Sequence, residues 1–235
     1  MTTGPTNDDR DDQAEARGCD VADLAVFHGF LLTLFDDAQR WVAEASGAPP
    51  RHVARMARHL DRVLAILHDH HHGEDLVLWD RLTGRAPACV LHVDVMRRQH
   101  ESIAAHAETV AAEVERWRQT SSESDRERVA TSLQALVSEL REHLGQEERV
   151  IAPVAAIELT QAEWDELADH GRRAVPRERL LLQLGLMLDA LSPDDAAHLL
   201  ISLPAPIRVM WAVFGVRVYR RQRARLERRR PAAAA

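Results

Sequence analysis

Apolar residues recur in steps of three and four along the first two thirds of the chain, and they fall into four blocks. The first reads Leu24, His28, Leu31, Phe35, Ala38, Val42, and the second Met56, Leu60, Val63, Leu67, His70, Glu74, Val77. The third reads Val93, Met96, His100, Ile103, Ala107, Val110, Val114, Trp117. The fourth is Val129, Leu133, Leu136, Leu140, His143, Glu147, Val150, Val154. This is the period of helices that each bury one face. Asp20 is a plausible N-cap for the first helix, and Gly47-Ala48-Pro49-Pro50 stops it. The spacing predicts helices over residues 20–47, 51–82, 88–118 and 125–156, with turns from Thr83 to Pro87 and from Gln119 to Ser124. Short connections make sequential helices antiparallel, and no alternating strand pattern with hairpin turns occurs. The predicted fold is all-α, an up-down-up-down four-helix bundle.

After residue 157 the pattern changes. A short helix from Thr160 to His170 is predicted, with Thr160 as N-cap and Glu163 completing a capping box. Leu180 to Leu191 is a strongly apolar helix, Ser192-Pro193-Asp194-Asp195 starts another, and Pro204 to Pro206 breaks the chain before a last helix ending near Arg229. These segments are too apolar to hang free. They are expected to pack across the bundle or on a second subunit, where they can cover an open end of a site. The chain therefore divides into an acidic, disordered lead-in over residues 1–19, the bundle over 20–156, and a helical extension over 157–235 with an Arg-rich end.

Composition narrows the picture. A chain of 235 residues buries a full core. It carries 30 basic residues, all Arg, and a formal net charge of −7; the absence of Lys looks like the codon bias of a GC-rich, bacterial genome. Cys19 and Cys89 form no Cys-x-x-Cys pattern, so neither a disulfide framework nor a zinc knuckle is supported, and a reducing cytoplasm is expected. The first twenty residues lack the apolar stretch of a signal peptide, and no run is long and apolar enough to span a bilayer. The last helix joins the apolar stretch Val209–Val218 to Arg217, Arg220, Arg221, Arg223, Arg225 and Arg228–Arg230. A docked helix with a solvated basic end is the simpler reading, with peripheral contact to an anionic membrane as the alternative. No helix-turn-helix, Gly-rich phosphate loop or nucleophile elbow stands out, so no nucleic-acid partner is expected.

Six polar residues interrupt the apolar seams, and they do so as a repeat. His28 precedes a His70-x-x-x-Glu74 pair by 42 residues, and His100 precedes His143-x-x-x-Glu147 by 43. Residues four apart share one helix face, so each pair presents an imidazole and a carboxylate to one point. Ionised carboxylates at core positions cost several kcal/mol unless paired or bound to metal. With no Lys in the chain and the Arg mostly off these seams, cations are the missing partners. The competing reading is buried His–Glu pairing without metal. His28, His70, Glu74, His100, His143 and Glu147 are the candidate ligands. His71 and His106 are weighed as further ligands or supporting donors, and Asp75, Glu101 and Glu148 as solvated groups or holders of a ligand His by its second nitrogen. His52, His59, His92, His170 and His198 read as surface or capping residues, and Tyr219 as a packing residue.

These residues resemble the hemerythrin-like family, the HHE cation-binding domain. The resemblance rests on Phe27-His28-Gly29, on His70 through Trp79, on Gln99-His100-Glu101 and on His143 through Pro153, and covers residues 20–156. It implies a non-haem di-iron centre in which His28 and His70 bind one iron, His100 and His143 bind the other, and Glu74 and Glu147 bridge them. Carboxylate and imidazole without thiolate suit iron, or manganese, better than structural zinc. The chain departs from the oxygen-carrying hemerythrins, which place a second His one turn after the His of the third helix, where Ala104 stands here, and end in His-x-x-x-x-Asp. That departure implies a more symmetric site with two His per metal and open positions. It makes simple reversible oxygen carriage doubtful. The expected function is binding of, or reaction with, O2 or a related small oxidant, in oxygen or iron sensing or oxidative-stress response. Catalase-like disproportionation of peroxide, and a helical adaptor acting through the basic C-terminal helix, are the alternatives. Homo-oligomerisation is left open.

Overall fold

A computed structural model describes residues 17–175 and 180–227. The predicted seams become α1 (Ala22–Glu44), α2 (Pro50–Val77), α4 (Val90–Thr120) and α5 (Glu123–Val150). The short helix α3 (Trp79–Arg85) and a 3-10 turn at Pro87–Cys89 lie between α2 and α4, and α6 (Ala152–Glu158) follows α5. Helix α4 packs on α5, α5 on α1, α1 on α2 and α2 on α4, which closes the four-helix ring. No strand occurs among the described residues.

The helix ends follow from local chemistry. Pro50 opens α2, where its missing N–H is one of the groups a helix start leaves unbonded anyway. Gly47 takes φ +64 after α1 ends. Ser122 caps α5 by accepting from the Asp125 N–H at 3.2 Å. At the start of α1 the N-cap is Val21 and not Asp20. Asp20 stands one residue earlier, accepts from the Ala22 N–H at 2.9 Å, and donates its own N–H to Gln161.

The second and fourth predicted helices are each interrupted, at Leu78 and Ile151. Both interruptions come four residues after an inward Glu, with the Leu78 N–H on the Glu74 carbonyl (2.9 Å) and the Ile151 N–H on that of Glu147 (2.8 Å). The internal repeat therefore extends to the backbone. Pro153 accounts for the second break, because a proline inside a helix removes a bond and crowds the carbonyl four residues back. No proline accounts for the first.

The apolar interior is divided in two. One cluster contains Phe30, Phe35, Trp41, Met56, Leu60, Ile103, Trp117, Leu133 and Leu140. The other contains Leu24, Trp79, Leu82, Met96, Ile151 and Trp164. In every long helix the candidate ligands lie between the two, so a polar layer crosses the bundle with dry core above and below.

Residues 1–16 of the expected lead-in lie outside the described residues. Residues 17–19 are held against α6 and the segment after it: the Gly18 N–H donates to the Leu159 carbonyl (2.8 Å) and the Cys19 N–H to that of Ala156 (3.1 Å). Helix α7 (Gln161–Ala174) starts with the expected capping box of Thr160 and Glu163. Arg85 reaches Glu163 with two nitrogens and holds its carboxyl down to about 2, tying α3 to α7.

The rest of the extension comprises α8 (Leu180–Ala190), α9 (Pro193–Ser202), α10 (Ala205–Met210), a π-helical turn at Trp211–Gly215, and α11 (Val216–Leu226). The end expected near Arg229 lies outside the described residues. Helix α8 packs on α1, and α11 on α8 and α2. Arg223 pairs with Asp37, Asp189 and Glu227, and its guanidinium lies 5.8 Å from the centre of the Trp41 ring. These contacts are on the stretch of α1 and α2 remote from His28 and His70. Helix α7 lies beside the turn of α2 that carries candidate ligands, where its His170 and Leu167 meet Gly73.

Gly185 lets α11 close on α8: a Cβ at this position would lie 2.5 Å from the Tyr219 Cγ. Gly185→Ala is expected to lower stability by about 1–3 kcal/mol. Hydrogen exchange should then quicken in residues 180–226 while α1, α2, α4 and α5 stay protected.

Candidate metal centre

Each candidate ligand sits on an inward face fixed by the apolar residues one turn away from it. His28 lies between Leu24 and Leu31, His70 after Leu67, His100 between Met96 and Ile103, and His143 after Leu140. Glu74 and Glu147 are both 0% exposed. All six predicted residues are brought to one layer, and His71 joins them.

The seven fall into two groups whose ligand atoms lie within 4.8 Å of one another: His28, His70, Glu74 and Glu147, and His71, Glu74, His100 and His143. Glu74 belongs to both. Glu147 also approaches the second group, with Oε2 3.7 Å from the His143 Nε2. Two imidazoles thus stand in the first group and three in the second, where the sequence pattern put two in each. His71 stands on the next residue after His70, and its ring lies against that of His100, centroids 4.1 Å apart and planes 11° apart.

Carboxylate and amide oxygens orient three of the imidazoles from behind. His28 donates Nδ1–H to Glu148 (2.9 Å), His100 donates Nδ1–H to Asp75 (2.8 Å), and His143 donates Nδ1–H to the Gln99 side-chain oxygen (3.1 Å). Asp75 and Glu148 each directly follow a central Glu, so the repeat reads His-x-x-x-Glu-acid, and each acid holds a His on another helix. Trp79 Nε1–H donates to Asp75 (2.6 Å), and Gln146 accepts from Gln99 (3.0 Å). Because Nδ1 carries the proton, Nε2 of each ring presents a lone pair inward.

The inward atoms have no partner that satisfies them. Nε2 of His28, His70 and His71 and all four carboxylate oxygens of Glu74 and Glu147 are buried without a hydrogen bond. His100 and His143 face each other through Nε2 at 3.2 Å, lone pair against lone pair. His70 Nε2 lies 3.2 Å from Glu74 Oε1, and His28 Nε2 3.5 Å from Glu147 Oε2. Native interiors rarely leave so many polar atoms unsatisfied in one place, and these seven converge on a single layer. A divalent cation accepts from every one of these atoms, so the donor set fits metal.

Electrostatics agree. Burial pushes the Glu147 carboxyl up to about 8 and raises Glu74 well above the ordinary range, with Glu147 beside it as a second cause. Burial also lowers His28, takes His143 down to about 3, and holds His70 and His71 far below the usual imidazole value. His28, His70, His71 and His143 are therefore neutral at neutral pH, and the two buried carboxyls lack compensating charge.

Other candidates lie elsewhere. His106 pairs with Glu139 at 3.1 Å on the outer surface, Glu101 is solvated, and Tyr219 packs on Gly185 and accepts from Arg223 at 3.2 Å. His59, expected at the surface, is buried, with its ring 5.1 Å from that of Trp41 and Arg223 of α11 close enough for its charge to bear on the ring. His52 is nearly buried as well. Gln99, whose role the seam pattern does not reveal, precedes His100 by one residue and reaches the neighbouring helix.

A helical bundle with this buried layer of imidazoles and carboxylates is a metal-binding architecture. The family model of the hemerythrin HHE cation binding domain matches residues 19–155. The chain belongs to that family. No curated protein and no solved structure matches it. Among the described residues no helix is long and apolar enough to cross a membrane.

Above pH 6.5 the unfolded-state His are largely neutral, so the raised carboxyls dominate the pH dependence of the metal-free chain. A raised acid binds a proton in the folded state that the unfolded state has already released, so stability falls as pH rises. Chemical denaturation of metal-free protein is expected to show this loss from pH 6.5 to about 8. Glu147→Gln should flatten it.

Proposed function

We propose that this chain is a non-haem di-iron protein that binds or reacts with O2 or a related small oxidant, serving oxygen or iron sensing or the response to oxidative stress. The observation that carries the reading is the convergence of buried, unsatisfied Nε2 and carboxylate atoms into two groups that share Glu74. His28 and His70 would hold one ion, His71, His100 and His143 the other, with Glu74 and Glu147 between them. Two carboxylates and five imidazoles without thiolate favour iron, and manganese next. Bound there, an iron pair supplies two-electron redox chemistry at adjacent centres.

The protein's own part is positional. Glu148, Asp75 and Gln99 fix the tautomers of His28, His100 and His143 so that Nε2 faces inward. Glu74 and Glu147 supply the negative charge that sets cation spacing. The apolar clusters on either side of the layer keep bulk water from competing for the ligand atoms. Because one group has two His and the other three, an ion held by His28 and His70 would have more positions open to an incoming small molecule. The same inequality favours a second reading, peroxide disproportionation, in which oxidant and reductant are both hydrogen peroxide. Free Cys19 and Cys89 support a reducing, cytoplasmic setting.

Protein purified aerobically is expected to contain two iron ions per chain, one for each group, with near-ultraviolet charge-transfer absorption of ferric iron. His70→Ala should lose both iron and absorption. No bound metal after reconstitution with ferrous iron overturns the reading. Rapid oxygen evolution from peroxide that disappears in Glu74→Ala assigns the enzymatic form. Slow turnover with a redox-dependent change in protection over residues 160–227 assigns the sensing form.

A further inference from the structure

Outside the buried layer, three imidazoles meet on the surface of α2. His68 and His72 are one turn apart on the exposed side of the helix, their rings parallel to within 4° and their centroids 5.9 Å apart. His170 comes from α7, in the extension, and its ring centroid lies 5.5 Å from that of His72. No hydrogen bond or ion pair to another described residue occupies any of the three rings.

Two features make this more than a chance grouping of surface histidines. A His pair at i and i+4 offers two nitrogens on one helix face, the spacing that helical zinc sites use. The third ring is held in place by close packing and not by a loose loop. Gly73 adjoins His72, and a Cβ there would stand 3.0 Å from His170 Cδ2 and 3.0 Å from Leu167 Cδ1. The absence of a side chain at residue 73 is what allows α7 to lie close enough to set His170 beside His72. His68 and His72 are exposed and turn about χ1 and χ2 at little cost, so their nitrogens can swing towards the packed ring of His170.

We propose that His68, His72 and His170 form a second, surface site for a divalent transition-metal ion, with three imidazole ligands and the remaining positions open to water. Imidazole ligands without a carboxylate select borderline cations of the Zn2+, Cu2+ or Ni2+ type over Mg2+ or Ca2+. The site is separate from the buried layer, because His70, His71 and Glu74 point to the bundle interior while His68 and His72 point outward from the same helix.

The test is Zn2+ titration of the iron-reconstituted full chain by calorimetry, with bound zinc and iron counted by elemental analysis after gel filtration. The expected result is one zinc ion per chain at unchanged iron content. His72→Ala should abolish it, and His68→Ala and His170→Ala should each weaken it roughly ten-fold or more, the scale on which a lost metal-site partner is felt. All three residues lie at or near the surface, so far-ultraviolet circular dichroism should be unchanged in the variants. The zinc count is read as a difference between the parent chain and His72→Ala, so it stands whatever the buried layer holds. Equal zinc uptake in the parent and His72→Ala overturns the site. Zinc uptake matched by iron loss overturns it as well, since that is exchange in the buried layer. Binding that is lost in His72→Ala but untouched in His170→Ala overturns the three-residue assignment.

Discussion

Two carboxylates, Glu74 and Glu147, face one another in the middle of a helical bundle with no exposure to solvent. Much of the bundle's centre is arranged around that confrontation. Removing a carboxylate from water costs several kcal/mol even after relaxation, and a second one beside it adds repulsion. Among the described residues no Arg side chain hydrogen-bonds either group, and the chain has no Lys. The residues that do approach are imidazoles whose inward nitrogens are acceptors, so in the absence of a cation the carboxyls are driven to take up protons and much of the layer still lacks donors. On the proposed reading, a pair of divalent ions would turn these liabilities into bonds. The same layer separates two apolar clusters that hold its ligands at fixed depth, so packing provides the precision and the cation resolves the charge.

Much of this was legible in the sequence because the seam period and the polar repeat are carried by the same residues. His28, His70, His100 and His143 sit at apolar-seam positions, so helix phase alone brings them inward, and the His-x-x-x-Glu step sets both carboxylates one turn away. The acids that follow the central Glu, Asp75 and Glu148, repeat the logic one residue on, where the helix turns them towards a neighbouring helix. His71 was harder to place. It is one residue off the seam, and its inward position depends on how α2 rotates against α4, which is a property of packing and not of spacing. Gln99 escaped for the same reason, since its reach to His143 exists only once α4 and α5 are paired.

The extension shows where sequence reasoning loses resolution. Thr160 and Glu163 announced the start of α7 through a capping box, a local motif with local causes. The docking of α11 depends on long-range fits: Gly185 under Tyr219, Gly215 under Trp211, and Arg223 among Asp37, Asp189 and Glu227. Glycines inside helices read as weak points until the aromatic ring that needs the space is known. That docking also brings the Arg223 charge to bear on the buried His59 ring. The split of Arg residues in the last helix is likewise a tertiary outcome, with Arg223 turned to the bundle while Arg220, Arg221 and Arg225 face solvent.

The central claim is that two cations share one pair of carboxylates, with His28 and His70 on one side and His71, His100 and His143 on the other. Anomalous X-ray diffraction from crystals of the iron-reconstituted protein, measured on both sides of the iron absorption edge, tests it directly. Two iron peaks in the buried layer, each within bonding distance of Glu74 and divided between the imidazoles two against three, is the predicted result. A single peak, or a layer holding no iron with the His and Glu side chains bonded only to one another, would contradict it.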